Sequence, residues 1–142
     1  MTSQSEKKNA SSRSILQNGG SIFLGFVVVF VLSLGTDEIL HILDVYPPWG
    51  LPMHDPSLNA LALSYRIVYT ILGSYITATY APDNPMKHAI ILGGIGLFFS
   101  SLGAIVTITQ YDLGPAWYPI SLVITTLPCA WIGGVIERTI HA

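Results

Sequence analysis

The chain has 142 residues, of which 51% are hydrophobic and only 10% are charged, and its formal net charge is −2. Soluble globular domains carry about a quarter charged residues, so this composition excludes most soluble classes and indicates a chain solvated by lipid. Six Lys and Arg residues in a slightly acidic chain are too few for a phosphate-tracking surface, and no nucleic-acid partner is expected. The single cysteine, Cys129, excludes an internal disulfide and a thiolate zinc cluster.

Four apolar stretches follow a polar amino-terminal segment, and each has about the 20 residues that a helix needs to cross a bilayer. We predict an all-α, integral membrane four-helix bundle with helices over residues 21–43, 57–80, 86–109 and 116–136. Together these helices form one transmembrane domain, residues 21–136. Residues 1–20 are too polar to bury a core, and we expect a disordered cytoplasmic tail there and a short one over 137–142. Asp55 is a predicted N-cap of the second helix, with Pro56 at its first position.

The distribution of basic residues predicts the orientation, because Lys and Arg that flank short loops are retained on the cytoplasmic side. The loops of residues 44–55 and 110–115, which share one side of a four-span chain, contain no Lys or Arg. We therefore expect both termini to be cytoplasmic. The basic residues of the other side are Lys7, Lys8, Arg13, Lys87 and Arg138.

The amino-terminal region has a second interpretation. Its basic residues, the apolar run 22–34 and the small residues around Gly35 are typical of a signal peptide with a cleavage site, and cleavage would leave three spans. The polar tail is long for a signal, and apolar residues up to Leu43 extend the run to membrane-spanning length. These two features favour an uncleaved first span.

Arg66 lies about nine positions into the second predicted span, roughly 13 Å deep at about 1.5 Å per residue. A charge at such depth costs about 2.5 to 3.5 kcal/mol on insertion scales, so it normally faces the bundle interior and has a partner. Asp37 and Glu38 of the first span have a matching depth and are the predicted partners. Two carboxylates leave a surplus negative charge, which His41, one turn away, offsets when protonated.

Three hypotheses for the cluster of Arg66, Asp37, Glu38 and His41 stay open. The first is a buried ion pair that holds the first helical hairpin together without a ligand. The second is a proton- or cation-binding site, because relays and coupled transporters use intramembrane carboxylates beside a histidine. The third is a divalent-metal or cation site that adds Asp44, although no established metal motif is present. No cofactor is predicted.

Two further features concern packing and docking. Small residues at helical spacing on the third helix predict a stripe for close helix packing, which is a main source of helix association in lipid. This seam consists of Ala89, Gly93, Gly96, Ser100, Gly103 and Thr107.

The loop of residues 44–55, here called the Pro-loop, is stiffened by its prolines. Its segment Pro47, Pro48 and Trp49 is either a surface for docking a partner or an anchor in the headgroup layer.

Three sequence strings carry a resemblance to a known group of proteins. They are YRIVY at residues 65–69, APDNPMKHA at 81–89 and LGPAWYP at 113–119. With them, residues 21–136 resemble short uncharacterised bacterial four-span integral membrane proteins, for which no activity is established. The resemblance implies a multi-pass architecture in the bacterial inner (plasma) membrane, and it implies no catalytic residue.

A single bundle of four helices encloses little space, so we expect a homo-oligomer or a complex with other membrane subunits in the bilayer. The leading hypothesis is a structural or accessory subunit of a membrane complex. The alternative is a small homo-oligomeric transporter or channel that couples to protons or cations through the acidic cluster. The sequence offers no nucleophile–base pair and no metal motif, so an enzyme is the least favoured class.

Overall fold

The structure, a computed structural model, describes residues 2–110 and 112–141. This part of the chain forms four helices and no strand, which confirms the predicted all-helical fold. The helices are α1 (Thr2–Ile42), α2 (Pro56–Tyr80), α3 (Pro85–Gln110) and α4 (Trp117–Ile140).

Helix α1 differs most from expectation, because it begins at Thr2 and continues without interruption through the segment predicted as a disordered tail over residues 1–20. That segment contains no proline, and its Glu, Lys, Arg, Ala, Leu and Gln residues are good helix formers. Once the apolar part of a helix exists, each added residue gains a backbone hydrogen bond without a new nucleation cost. At about 1.5 Å per residue, the 41-residue helix is roughly 60 Å long, about twice the thickness of a bilayer core.

Local sequence features explain where helix α2 begins and where helix α1 ends. Helix α2 begins as predicted, with Pro56 in its first turn and the Asp55 carboxylate accepting a hydrogen bond of 2.8 Å from the Ser57 backbone N–H. Helix α1 ends at Ile42, two residues before Asp44, whose φ of 58° lies in the left-handed region and cannot continue a right-handed helix.

Different loops lie at the two ends of the helical bundle. At one end the Pro-loop meets the connection between α3 and α4, where the Met53 N–H donates to the Leu113 carbonyl at 2.6 Å. At the other end, here called the turn end, the short turn between α2 and α3 lies beside α1. There the His88 Nε2 and Asn18 Oδ1 atoms are 2.8 Å apart. Each helix segment between these ends runs antiparallel to the next.

Helices α2 and α3 each contact all three other helices, whereas no Cα atom of α1 lies within 8 Å of one of α4 in the described residues. Helix α2 lies between α1 and α4. Three helices, α1, α3 and α4, contain segments long and apolar enough to cross a membrane, and α2 is not among them. Its hydropathy is lower because small and polar residues make up its buried surface. These buried residues are Asn59, Ala62, Gly73, Ser74, Thr77 and Ala78.

Glycines permit the closest helix contacts. A Cβ atom on Gly133 of α4 would lie 2.6 Å from the Ile71 carbonyl oxygen of α2, and one on Gly73 would lie 2.8 Å from the Gly25 carbonyl oxygen of α1. On α3, Gly93 packs closely against Ala130 of α4.

The predicted seam on α3 is divided rather than continuous. Its first part packs against α4 through Gly93 and Gly96, and Ala89 is fully buried. Farther along, Gly103 has open space around it. The reason is that the neighbouring helices cover α3 more closely near the turn end than near the Pro-loop end. The seam therefore accounts for one interface, and glycines on α1, α2 and α4 provide the others.

We expect Gly133→Ala to destabilise the fold by about 1 to 3 kcal/mol, since the new methyl group would overlap the backbone of α2. Gly94→Ala is the matched control, because a Cβ atom there meets no other atom within 4 Å. Denaturant unfolding of both variants in detergent, followed by circular dichroism, measures the difference. Equal stability of the two variants would contradict this close contact.

Candidate functional site

Asp37 is the centre of the charged cluster and lies in the last turns of α1, with 6% of its surface exposed. One carboxylate oxygen, Oδ2, pairs with the Arg66 guanidinium of α2. The other, Oδ1, accepts a hydrogen bond from the Tyr65 hydroxyl of the same helix. Both oxygens therefore have a partner, and the positive and negative charges of the pair cancel.

Arg66 extends this cluster to a third helix. Its Nη1 donates a hydrogen bond of 2.8 Å to the Tyr118 hydroxyl of α4. The rings of Tyr65 and Tyr118 lie 5.8 and 5.9 Å from the guanidinium carbon, within the range of cation–π attraction. One side chain of α2 thereby connects α1 and α4, whose Cα atoms are all more than 8 Å apart in the described part of the chain.

Tyr46 joins the Pro-loop to the same cluster. It is 5% exposed, and its hydroxyl lies 3.1 Å from the Tyr65 hydroxyl. Because the Tyr65 proton is donated to Asp37, the proton of this second bond comes from Tyr46. Burial raises the pKa of the Tyr46 phenol above its ordinary value, which keeps the phenol neutral and able to donate.

Glu38, predicted as a second partner of Arg66, lies elsewhere. Its side chain is exposed and accepts a hydrogen bond of 3.1 Å from the Trp49 indole N–H. Successive residues on a helix point about 100° apart, and here Asp37 faces α2 while Glu38 points toward the Pro-loop. The surplus negative charge that the sequence predicted in the cluster is therefore absent from it.

His41 lies next to Asp37 and contacts its backbone. The ring Nδ1 is 2.6 Å from the Asp37 carbonyl oxygen, and the ring stacks on Trp49 with 3.9 Å between centroids. Asp44 lies beyond the end of α1 and is exposed. No group of three or more His, Cys, Asp or Glu side chains in residues 2–110 and 112–141 is placed to hold a metal ion. The four residues proposed as a metal or cation site are thus not brought together.

The Pro-loop packs back onto the bundle. Asn59 of α2 donates hydrogen bonds of 2.9 Å to the carbonyl oxygens of Met53 and Asp55, which fixes the end of the loop. Of the predicted docking residues, Pro47 is partly covered, whereas Pro48 and Trp49 are exposed. A partner-docking surface at these residues stays a prediction.

The tyrosines of the cluster were not identified from the sequence. Tyr65 and Tyr118 have no charge and belong to no known binding motif, and Tyr46 and Tyr118 have the positions expected of interfacial aromatic residues. One signal was available: a buried guanidinium needs several hydrogen-bond acceptors, so hydroxyl groups at the depth of Arg66 are candidates. Glu137 at the turn end was also not assigned. It is 8% exposed, and its carboxylate lies 3.1 Å from His141 Nδ1.

Comparisons of the chain with protein-family models, with curated proteins and with solved structures give no match. The function is therefore argued from the site itself.

We expect Arg66→Leu to destabilise the protein by about 3 to 5 kcal/mol, because it leaves the Asp37 carboxylate buried without a cation. Adding Asp37→Asn removes the stranded charge and is expected to restore most of the lost stability. The matched control adds Glu38→Gln to Arg66→Leu and is expected to restore none of the lost stability. Denaturant unfolding in detergent measures the stability of the single variant and of both double variants. If Asp37→Asn and Glu38→Gln restored stability equally, the assignment of Asp37 as the partner of Arg66 would be contradicted.

Proposed function

We propose that the protein is a four-span protein of the bacterial inner membrane with both termini in the cytoplasm. Helices α1, α3 and α4 contain segments long and apolar enough to cross a membrane. Helix α2 connects the Pro-loop end to the turn end between α1 and α3, so a chain that crosses with those two helices must return through the membrane with α2. Lys87 and Arg138 line one cavity at the turn end, which supports a cytoplasmic location of that end.

Cysteine labelling tests this orientation in a Cys129→Ser background. We expect a membrane-impermeant maleimide to label a Leu51→Cys variant in intact spheroplasts, because residue 51 lies in the Pro-loop and is exposed. A Ser12→Cys variant on the exposed first part of α1 is expected to react only after permeabilisation. The reverse labelling pattern would contradict the proposed orientation.

We propose further that the protein acts as a structural or accessory subunit of a membrane complex. The observation that carries this proposal is the complete engagement of the Asp37 carboxylate by Arg66 and Tyr65. A site that couples transport to protons or cations needs a carboxylate that can exchange its partner. Glu38, the other candidate, lies outside the cluster beside Trp49. The cluster is therefore best suited to holding helices together.

The Pro-loop provides the surface that such a subunit needs. Trp49 is 61% exposed, while its ring is supported by stacking on His41 and its N–H by Glu38. A large aromatic side chain that is held in place and still exposed loses little conformational freedom when it docks, which makes it a favourable interface residue. We expect a neighbouring subunit to contact the protein here.

Native mass spectrometry of the protein, tagged at its natural expression level and gently extracted from its own membrane, tests the accessory role. We expect the mass of a complex that contains at least one other chain. Trp49→Ala is expected to reduce the captured partner at least tenfold. Trp131→Ala, which removes an exposed tryptophan from the middle of α4, is the matched control. A mass of this chain alone, in one or several copies, would overturn the proposal.

One observation favours the transporter alternative. Arg66 lines both a cavity of about 300 Å³ beneath the Pro-loop and a second cavity of about 440 Å³ between the helices. A path across the membrane would pass this residue. Proton and monovalent-cation flux into liposomes that contain the purified protein tests the alternative. Flux that is lost in an Asp37→Asn variant which still folds would favour transport over the accessory role.

A further inference from the structure

The first turns of α1 project beyond the turn end of the bundle. Residues 3–17, here called the arm, are all exposed except Ser14, which is half-buried. At about 1.5 Å per residue the arm is roughly 22 Å long. It therefore adds little to the packing of the bundle, and its surface is open to another molecule.

Contacts at the base of the arm hold it to the bundle. The Asn18 Oδ1 atom lies 2.8 Å from His88 Nε2 of α3. The Thr77 hydroxyl of α2 donates to the Ser21 carbonyl at 2.9 Å. Between these two contacts are the glycines at residues 19–20, which would otherwise weaken the helix. Because α1 is bound on both sides of them, the arm continues α1 without a break.

The arm is basic. It carries Lys7, Lys8 and Arg13 against one carboxylate, Glu6, which gives a net charge of +2. No Asp or Glu lies three or four positions from any of these basic residues, which is the spacing at which side chains on a helix pair. The basic groups thus have no counter-charge along the helix, and they attract an acidic surface.

The anionic surface of the bilayer is too far from the two lysines to supply that charge. In the proposed topology the arm lies on the cytoplasmic side, and the apolar part of α1 begins at Ile22. Lys8 is 14 positions before Ile22, roughly 21 Å along the helix. The headgroup layer extends only about 5 to 8 Å beyond the hydrocarbon core, and salt screens its charge within about 8 Å more. Side chains on a helix lean toward its amino end, so Lys7 and Lys8 also point away from the bilayer.

The foot of the arm is apolar. Ile15 and Leu16 are 67% and 74% exposed. They lie roughly 9 to 10 Å before Ile22 along the helix, which places them at or beyond the outer edge of the headgroup layer. Neighbouring large apolar side chains in such a position are typical of protein interfaces, which combine an apolar centre with a polar rim. The surface that fits the arm therefore has an apolar patch near the membrane and carboxylates farther from it.

A second copy of this chain does not provide that surface. Its arm carries the same net charge, and like charges placed side by side repel. The acidic surface therefore belongs to a different chain.

We propose that the arm docks onto the cytoplasmic part of another membrane subunit, with its basic side chains facing carboxylates of that subunit and its apolar foot packed nearest the membrane. The proposal rests on the accessory role and adds the chemistry of the partner's cytoplasmic surface. It concerns the end of the bundle opposite to the Pro-loop.

Photo-cross-linking in intact cells, with the protein at its natural expression level, tests this contact. Benzoylphenylalanine in place of Ser12, which is exposed in the arm, is the probe. The same residue in place of Val31, which is 58% exposed on the apolar part of α1, is the matched control for neighbours in the membrane. We expect the probe at position 12 to link to one membrane protein at a segment rich in Asp and Glu, identified by mass spectrometry of the linked peptides. The control is expected not to link to that segment.

Variants of the arm test the role of its charge and of its apolar foot. Lys7→Gln together with Lys8→Gln is expected to reduce the cross-link about fivefold, whereas Lys7→Arg together with Lys8→Arg is expected to keep it. The remaining basic residues hold the orientation, which labelling of the Pro-loop checks. Ile15→Gln leaves every charge in place and is expected to reduce the cross-link about threefold. It decides the matter if the double Gln variant does not insert.

Fluorescence of the purified full chain in vesicles tests the bilayer as the occupant. An environment-sensitive label on Ser12→Cys, in the Cys129→Ser background, is expected to emit at the same wavelength in phosphatidylcholine and in an equimolar mixture with phosphatidylglycerol. A blue shift in the anionic mixture would place the arm on the bilayer and overturn the proposal.

Three other results would also overturn it. They are no protein cross-link from position 12, a cross-link only to a second copy of this chain, and a cross-link that is equally strong in the parent protein, the double Gln variant and Ile15→Gln. If the native complex contains another chain and one of these results is found, the accessory role stands and only the docking of the arm fails. A native mass of this chain alone would remove both.

Discussion

A guanidinium group that is largely buried between helices needs a counter-charge and several hydrogen-bond acceptors, and Arg66 imposes this need on the bundle. Asp37 supplies the charge from α1, and Tyr118 supplies a hydroxyl acceptor from α4. These contacts place α2 between its neighbours. The polar and small residues of α2 are consequently buried, and α1 stays at the edge, with its Cα atoms more than 8 Å from those of α4 in the described residues. The cavity beside Arg66 follows from this arrangement.

The same interaction shapes the proposed function. A neutral pair whose carboxylate is fully engaged stabilises a helix contact and has no free group for coupling. Tyr46 carries the network into the Pro-loop, so the surface around Trp49 is fixed by the bundle below it. On α2, the buried Arg66 Nε and Ser74 Oγ atoms have no hydrogen-bond partner within the described residues. One charged cluster thereby connects α1, α2 and α4 and fixes the position of the Pro-loop.

Local sequence rules were sufficient for several features. Apolar length predicted four helices, Asp55 and Pro56 predicted where α2 begins, and matched depth predicted that Arg66 meets the acidic end of α1. Depth alone could not choose between Asp37 and Glu38, because that choice depends on the rotation of α1 about its axis. The tyrosine partners depend on which faces of α2 and α4 meet. The helical tail of α1 was missed because polarity was taken as disorder, although its residues favour a helix.

The pairing of Arg66 with Asp37 is the central claim, and solid-state NMR of the protein in lipid bilayers measures it most directly. With ¹⁵N-labelled arginine and ¹³C-labelled aspartate, magnetisation transfer between a guanidinium nitrogen and an aspartate carboxyl carbon reports their contact. The account predicts one strong transfer, which disappears in Asp37→Asn and persists in Glu38→Gln. The other two arginines, Arg13 and Arg138, lie toward the turn end, far from Asp37. Absence of the transfer in the parent protein, or its persistence in Asp37→Asn, would contradict the account.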